Sequence, residues 1–552
     1  MYGDVLLTYK QKLNDDFDLT VTGGYTATKQ EENTVTRSTN GGLSTENLFD
    51  VAASVGLANS ETRRLSMVRD AFIGTMNLGY KDFLFAEATV RRERISVMHP
   101  DNNDIVYPSV NASFIFSDAF ALPSFISFGK LRASWGIVGN YPDVYAANIA
   151  YTQNTLGVQA VGGQPVLYTL LPSNFGNDKI RPEEKHEIEF GLEAKFFNNR
   201  LGIDISYYNA QVRDQILPLT IPASSGATSV LTNIGTLRNK GIEIGITGTP
   251  VQTKHFNWYA GVNIAHNKNV VEKLASGANE LLHQDYDGNA AQLISRVGEP
   301  MGDFYAHPVA RNDKNEMIVE PNGLYKLEDK LVKVGNAMPK AVGGFFSSFT
   351  YKNFSLDVLL DFRIGGHVMP TGINWMISRG LLEESLYAMD KEHGGISYYV
   401  DNNGKGVRTD AAQGPNGETV YHDGMLLEGV TIDGQPNTNV ISQAFYFINT
   451  YNWGGPQYGS LSRYELYVKK NEYVKFREMS LSYSLPAKWA KKLSANRLQL
   501  SVFGRNLFYI YRTLKHMDAE QTVAGSRWFQ TLNNAGTNPS TRTFGVMLRA
   551  NF

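Results

Sequence analysis

The chain has 552 residues, no cysteine and a formal net charge of −2, with 52 Lys and Arg against 54 Asp and Glu. The lack of cysteine excludes disulfide frameworks, thiolate metal sites and cysteine nucleophiles. The near-neutral balance argues against a generic nucleic-acid binder, which usually has a basic excess. Aromatic residues reach 12%, charged residues only 19%, and glycine counts 51. This composition is typical of a protein built from β-strands and glycine-bearing turns.

The sequence has no segment typical of a membrane-spanning helix. The first residues, Met1–Val5, do not form a basic stretch followed by an apolar one, so they do not resemble a secretory signal peptide. No uncharged apolar run reaches the roughly 18 residues that a spanning helix requires. A membrane role would therefore require a β-barrel.

Strict alternation of apolar and polar residues is the strongest pattern in the chain. Between Ile188 and Phe196 every second residue is apolar, and the same holds in 201–207, 242–246 and 354–362. Asn198-Asn199 separates the first two of these segments, as a tight turn between two strands would require. A soluble sandwich also alternates. The segments, however, run to about nine to twelve residues, which matches the nine to eleven of a tilted membrane strand.

The pattern predicts about sixteen strands. They lie near 3–12, 16–28, 63–80, 83–96, 106–117, 126–138, 145–154, 185–197, 200–216, 228–248, 255–267, 342–352, 354–365, 472–485, 496–508 and 541–552. The apolar phase slips within 472–485, which predicts a β-bulge near Arg477-Glu478. Many segments end in an aromatic residue, among them Tyr80, Trp135 and Trp258. Aromatic girdles at two membrane interfaces would explain this, although aromatics are also favoured in strands generally.

The predicted connections are of two kinds, short at 13–15, 81–82, 198–199 and 486–495, and long at 29–62, 268–341, 366–471 and 509–540. Short turns on one side and long loops on the other are typical of an outer-membrane barrel. The last segment ends on an aromatic residue, with Phe544, Val546, Leu548 and Phe552 on one face. This end resembles the terminal assembly signal of bacterial outer-membrane barrels. A soluble protein can also end in an amphipathic strand.

Several sequence blocks follow one another along the chain. They are 130–140 (KLRASWGIVGN), 180–191 (IRPEEKHEIEFG), 233–235 (NIG) with 239–243 (NKGIE), 335–340 (GNAMPK), 343–345 (GGF) and 351–354 (YKNF), 361–366 (DFRIGG), 473–477 (YVKFR) with 481–483 (LSY), and 504–508 (GRNLF). Together these blocks resemble SusC/RagA-type TonB-dependent transporters. The resemblance extends from about residue 63 to the end. It implies an all-β transmembrane antiparallel barrel with an internal plug, in which this chain supplies about the last 16 of 22 strands. Residues 1–552 would then be the C-terminal portion of the barrel domain. The plug, the TonB box and the N-terminal extension would lie upstream, in a fragment or a split protein.

The resemblance also implies a function. It predicts a nutrient importer of the outer membrane that takes up oligosaccharides or oligopeptides. A SusD-like surface lipoprotein would be its partner, and the TonB complex would supply energy through the plug and TonB box. Outer-membrane lipid would surround it, and no nucleic acid or cofactor is expected. Two alternatives stay open: a passive porin or surface receptor without energy coupling, and a soluble β-rich carbohydrate-active protein.

The alternation also places candidate cargo contacts. With the apolar residues facing lipid, polar residues on the same strands face the lumen. These are Arg132, Asp357, Asp361, Arg363, Lys475, Arg477 and Arg505. They could equally pair with one another or hold the plug. The long loop 366–471 adds aromatic candidates, namely Trp375, Tyr398, Tyr399 and Trp453, which could stack on sugars, cover a partner or form the loop's own core.

No catalytic motif is present in the sequence. The ten histidines are scattered without metal-binding spacing, and no GxSxG, Walker A or dinucleotide fingerprint occurs. Asp401–Gly404 is weakly similar to a calcium loop but lacks the later bidentate Glu. We therefore expect neither a catalytic nor a metal site, and not an enzyme.

Overall fold

The computed structural model describes residues 1–148, 152–161, 164–170, 173–274, 277–521 and 540–552. The strands are β1 Tyr2–Lys12, β2 Phe17–Ser38, β3 Asn59–Tyr80, β4 Leu84–Ile95, β5 Asp104–Phe114, β6 Ile126–Asn140, β7 Thr152–Val161, β8 Gln164–Leu170, β9 Asn174–Phe175, β10 Glu183–Phe196, β11 Leu201–Arg213, β12 Ile216–Thr220, β13 Ser229–Asn233, β14 Gly235–Gln252, β15 Phe256–Leu274, β16 Glu280–Tyr286, β17 Ala291–Arg296, β18 Asp303–Ala306, β19 Val332–Asn336, β20 Ala341–Tyr351, β21 Phe354–Ile364, β22 His367–Val368, β23 Ile396–Val400, β24 Gly406–Arg408, β25 Tyr421–Leu426, β26 Val440–Ser442, β27 Lys469–Lys470, β28 Tyr473–Ser484, β29 Arg497–Arg512 and β30 Thr543–Asn551. The α-helices are α1 Phe116–Ala119, α2 Thr371–Ser378, α3 Gln443–Thr450 and α4 Ala487–Lys492.

The chain divides into two compact units. The first contains Met1–Asn199, Asp204–Lys240 and Glu272–Gly277, and the second contains Arg200–Ile203, Gly241–Val271 and Ala278–Phe552. In the first unit the long antiparallel strands follow the order β1-β2-β3-β4-β5-β6-β10, with most of β11. In the second unit the order is β15-β20-β21-β28-β29-β30, with most of β14. Neighbouring strands are thus successive long strands of the chain, which gives an up-and-down arrangement.

The predicted all-β antiparallel architecture is confirmed. Fifteen long strands occur in the described part of the chain, against about sixteen predicted. The difference is the segment 145–154, part of which lies outside the described residues. The strand that begins at Thr152, β7, pairs only with β8, in a separate two-stranded sheet. The predicted strands 200–216 and 228–248 are each interrupted, because β12 and β13 form a small sheet of their own with β9.

The prediction that 29–62 is a loop was wrong at both ends, because residues 29–38 continue β2 and residues 59–62 begin β3. Strands β2 and β3 have 22 residues each and stay in register from Phe17 opposite Tyr80 to Ser38 opposite Asn59. Residues 29–38 are exposed on both faces of this ribbon. Because neither face is covered, no apolar alternation is required there, and the sequence lacks the period-2 pattern that marks the other strands.

Apolar side chains occupy one face of each large sheet, and many of them are exposed. In the second unit the register places Phe354, Leu356 and Val358 opposite Tyr483, Leu481 and Met479. In the first unit Phe190 is 56% exposed, and in the second Leu548 is 64% exposed. A soluble sandwich would bury these residues against a second layer. The exposed apolar face therefore identifies a sheet that meets hydrocarbon rather than water.

The predicted β-bulge is confirmed at Arg477. Leu359 pairs with Glu478 and Leu360 pairs with Phe476, so Arg477 is the extra residue between them. The pairing of β28 with its other neighbour, β29, also shifts register between Phe476 and Glu478 of β28. The predicted turn at Asn198-Asn199 is confirmed as well, with φ of 57° and 64°, the left-handed conformation that asparagine tolerates.

The long connections of the second unit are folded rather than structureless. The segment between β21 and β28, residues 365–472, contains α2, α3 and the strands β22 to β27. We call this segment the folded loop. Two apolar clusters pack the folded loop against the connections before β20 and after β29. One lies around Val319, Ile373 and Leu514, and the other around Phe304, Tyr464 and Tyr467. None of the helices in the described ranges is long and apolar enough to cross a membrane.

The exposed apolar face generates the first prediction. Val358→Arg places a charge at the middle of the apolar face of β21 and should destabilise the folded protein by roughly 2–4 kcal/mol in a bilayer. Its neighbour Leu359 points to the polar face, beside Glu478. Leu359→Arg should therefore be close to neutral. Urea unfolding in liposomes, followed by heat-modifiable gel mobility, measures both. Equal destabilisation by the two variants would contradict the assigned faces.

Candidate functional site

On the polar face of the first unit an ion pair joins β6 to β11 across the intervening strand β10. Arg132 on β6 donates from Nη2 to Asp204 Oδ1 at 2.6 Å and to Ser206 Oγ at 2.6 Å. Its Nε also lies 3.8 Å from Glu189 Oε1 on β10. Gly191 is on β10, which lies between β6 and β11. A Cβ added at this glycine would come within 2.2 Å of the Arg132 Nε. The glycine therefore gives the guanidinium room to cross β10.

Three of the predicted charges in the second unit also have partners. Asp357 accepts a hydrogen bond from Ser348 Oγ at 2.6 Å. Arg363 donates from Nη2 to the backbone carbonyl of Ala337 at 3.2 Å. Arg505 donates from Nε to Glu478 Oε2 at 2.8 Å. The three partners are a hydroxyl, a backbone carbonyl and the carboxylate of Glu478, and none of them is another of the predicted charges.

The remaining three predicted charges converge in one network. Lys475 is 3% exposed, and its Nζ lies 2.7 Å from Glu520 Oε2 and 3.4 Å from Asp518 Oδ2. Arg477 donates from Nη1 to the same Glu520 Oε2 at 2.8 Å and also pairs with Asp361. The bulge at Arg477 makes this possible. It lets Arg477 and Glu478, which are consecutive residues, both lie on the polar face.

Glu520 and Asp518 lie on a segment that folds back onto the sheet. We call residues 513–521 the docked segment. Leu514 is buried in the larger loop cluster, and His516 Nε2 lies 2.8 Å from Glu384 Oε1. Asn471 donates from Nδ2 to the carbonyl of Ala519 at 2.8 Å. The docked segment therefore connects the core of the folded loop to the polar face of β28.

The pKa values of both carboxyl groups of the docked segment lie below their ordinary range. Burial raises the pKa of Asp518, but hydrogen bonds from Ser540, the Glu520 backbone and the Tyr509 hydroxyl, with the charge of Lys475, outweigh burial and lower it. Burial likewise raises the pKa of Glu520, and its hydrogen bonds with Arg477 and Lys475 outweigh that effect. Both groups are thus held ionised where they dock.

The candidate aromatic residues of the long loop fall into two groups. Tyr398 is buried in the small sheet of β23 to β26, 5.7 Å from the Tyr421 ring, and burial raises its pKa to about 12. Tyr399 is half-buried. Trp375 is 52% exposed on α2, with Arg379 over its ring. Trp453 is 59% exposed and lies 6.3 Å from the exposed ring of Tyr458.

The residues of the predicted assembly signal lie at the end of the chain on β30. Phe544, Val546 and Leu548 share one exposed face and are paired through the backbone with β29, while Phe552 follows the strand. Across the described ranges no group of three or more His, Asp or Glu is placed to hold a metal ion.

Sequence reasoning missed Asp204, Asp518, Glu520 and Tyr458. Asp204 could have been found, because it alternates with the apolar residues of β11 on the same face as Arg132. Glu520 had no such signal. It lies 45 residues from Lys475 in a connection without periodicity.

An antiparallel sheet with an exposed apolar face, a polar face and alternating short and long connections is the architecture of an outer-membrane β-barrel. The chain belongs to the TonB dependent receptor-like, beta-barrel family, whose model matches residues 2–292. It is 24% identical over 511 residues to TonB-dependent receptor P3 of Formosa agariphila, covering 87% of this chain and 45% of that protein. It is 27% identical over 319 residues to TonB-dependent receptor SusC of Bacteroides thetaiotaomicron, covering 54% of this chain and 31% of that protein.

A solved structure gives the same result for the fold. The RagAB peptide transporter superposes with a TM-score of 0.71 at 19% identity, covering all of this chain and 56% of that chain. The chain thus spans about half the length of the proteins that it matches. The predicted SusC/RagA-type resemblance is confirmed, and the family places the chain in the outer membrane.

The docked segment generates the second prediction. Because the chain has no cysteine, Ala519→Cys introduces one thiol, at a position that is 2% exposed. Adding Glu520→Gln removes the charge shared by Lys475 and Arg477. We expect the rate of maleimide labelling to rise about tenfold, which corresponds to ~1.4 kcal/mol. Glu478→Gln is the matched control, since it removes a carboxylate of the same face that pairs with Arg505. Equal rates in both variants would contradict docking through Glu520.

The third prediction concerns pH. A carboxyl group whose folded pKa is lowered stabilises the folded form above its ordinary pKa, and this stabilisation is lost as the pH falls through the lowered value. The ordinary values are 4.5 for Glu520 and 3.8 for Asp518. The segment should therefore stay docked from pH 7 to about 5 and be released progressively as the pH falls below these ordinary values toward the lowered ones. Hydrogen exchange of amides 513–521, corrected for intrinsic rate, measures this. Release between pH 7 and 6 would be inconsistent with these carboxyl groups as the anchor.

Proposed function

We propose that the protein to which this chain belongs is an importer that takes up soluble oligomers across the outer membrane with energy from TonB. The supporting observation is the match to the receptor family and to the RagAB fold, combined with a polar sheet face whose charges are paired. A large barrel needs such a face to line a water-filled lumen. The proposal also requires a plug and a TonB box, which none of the matched sequence blocks supplies.

We propose oligosaccharides or oligopeptides as the cargo. The polar face of the first unit presents Arg132, and that of the second unit presents Arg477 and Arg505, each beside a carboxylate. A surface whose charges are paired in this way offers hydrogen-bonding groups but has no strong electrostatic potential of one sign. It therefore suits flexible polar oligomers better than a highly charged ligand. RagAB is a peptide transporter, and oligopeptides are one of the two cargo classes that we propose for this protein.

The exposed aromatic residues support a binding role for the folded loop. Trp453 and Tyr458 form a pair of neighbouring exposed rings, and Trp375 lies on α2. Exposed rings of this kind stack on sugars or cover an apolar partner surface. We propose that the folded loop contacts cargo and a SusD-like surface lipoprotein, with Tyr398 and Lys475 serving as internal supports.

The fourth prediction tests the proposal in cells. Deletion of the gene should abolish growth on one polymer, either a glycan or a protein digest, while growth on glucose or free amino acids stays normal. Depletion of TonB should give the same defect, because transport against a gradient requires energy. A passive porin would instead continue to support growth after TonB depletion. Unchanged growth of the deletion strain on every glycan and peptide source would contradict import.

Point variants refine this test. Trp453→Ala with Tyr458→Ala should raise the cargo concentration that gives half-maximal growth by roughly tenfold, since stacking contributes about 0.5–1.5 kcal/mol per aromatic pair. Tyr421→Ala is a matched aromatic control. It lies on the same loop, is exposed and contacts Tyr398 instead. The amount of protein in the outer membrane must be equal in all strains. Equal defects in the double variant and the control would argue against a stacking site.

A further inference from the structure

The apolar face of the first unit contains a row of small residues that crosses three strands. The register aligns Ala86 on β4 with Ala112 on β5, and Ala112 with Ala133 on β6. The row then meets Phe190 on β10, which pairs with Ala133. Directly opposite residues share a face of an antiparallel sheet. The three methyl side chains therefore form a shallow floor that runs across the strands and ends at one large ring.

Larger residues flank this floor on both sides. One flank is the row of Leu84, Phe114 and Leu131, two residues nearer the strand ends. The other flank includes Val110 and Trp135. Ala112 and Ala133 of the floor, with Leu84, Phe114 and Leu131 of the first flank, line an open apolar hollow of about 450 Å³. The hollow continues past Phe190 to Leu192, Ile205 and Tyr207.

The hollow lies near the short connections of the first unit. Leu84 is the first residue of β4, and Phe114 is the last residue of β5. Just beyond them, the rings of Tyr80, Phe83 and Phe114 pack edge to face. In outer-membrane barrels short turns face the periplasm, and aromatic girdles mark the depth of the lipid headgroups. The hollow is therefore in the half of the membrane nearer the periplasm.

From this geometry we propose that the hollow binds one acyl chain of a glycerophospholipid of the periplasmic leaflet. The lining is almost entirely carbon, so water gains no hydrogen bonds there. At roughly 30 Å³ for a water-sized group, the volume holds about fifteen such groups, the size of one long acyl chain. From β4 to β11 the hollow crosses five strands, about 19 Å at the usual strand spacing of ~4.8 Å. An extended acyl chain has a similar length.

The headgroup side of the hollow has a suitable cation. Lys81 lies in the turn before β4, with its Nζ 5.3 Å from the centre of the Tyr80 ring and 3.5 Å from Asp16 Oδ2. A basic residue at this depth attracts a lipid phosphate. A protein partner is less suited to the hollow, because stable interfaces bury about 800 Å² on each side and need a protruding complement. This inference rests on the family assignment and the exposed apolar face and is independent of the proposed cargo.

The fifth prediction tests the hollow with a photoreactive lipid. The purified full-length protein is reconstituted in liposomes that contain a phosphatidylethanolamine with a diazirine in its acyl chain. After illumination, mass spectrometry maps the labelled peptides. We expect labelling to concentrate on 84–86, 112–114, 131–133 and 190–192. Ala112→Phe or Ala133→Phe fills the floor and should lower this labelling at least fivefold.

Ala88→Phe is the matched control. It places the same side chain on the same apolar face of the sheet, but on β4 and outside the hollow. This variant should change labelling less than twofold. Heat-modifiable gel mobility confirms that each variant is assembled. Phe190→Ala, which opens the end of the floor, gives a second readout and should shift labelling toward β11. Uniform labelling of the apolar face, or labelling that Ala112→Phe does not reduce, would overturn the proposal. Preferential labelling by a diazirine-bearing lipid A would also overturn it, because lipid A occupies the other leaflet.

Discussion

In hydrocarbon an unpaired backbone N–H or C=O costs several kcal/mol, so every such group must be paired within the protein. This constraint determines most of what the structure contains. It requires long, regular, antiparallel ladders such as β20-β21-β28, in which consecutive residues point to opposite faces. One face then meets lipid and is apolar, as in Phe354, Leu356 and Val358. The other face meets water and carries the charged residues.

The polar face in turn requires that its charges be neutralised. A cation such as Lys475, which is almost fully buried, is tolerated only with carboxylates beside it. In this chain those carboxylates come from outside the sheet, on the docked segment. The bulge adds Arg477 to the same anion and so ties Glu520 to two cations at once. A local irregularity in one strand thus determines where a distant loop can dock. Because the docked segment also contacts the folded loop, it attaches that loop to the polar face of β28.

The parts that lipid constrains are the parts that the sequence predicted. Alternation identified β10, β11 and β21, and a slip in that alternation located the bulge at Arg477. Where contact with lipid ends, the alternation of apolar and polar residues ends too. Residues 29–38 lack this alternation, and they were therefore predicted as a loop although they continue β2. The charged partners of the polar face come from residues that are distant in the sequence, so they could not be predicted from alternation alone. The polar phase selected Arg132 and Lys475 correctly as residues of that face, but their partners Asp204 and Glu520 follow from three-dimensional register and loop docking. Composition alone could not separate the buried Tyr398 from the exposed Trp453.

The most direct test of the account is a scan of single cysteines along β21 and β28 in liposomes, which the cysteine-free chain makes simple. Each cysteine carries a spin label, and its collision rates with oxygen, which is concentrated in lipid, and with a water-soluble nickel complex are compared. Exposure to lipid and exposure to water should alternate with a period of two along 354–364. In β28 the alternation should reverse phase at Arg477. Absence of a period of two, or protection of both faces from both reagents, would contradict the account.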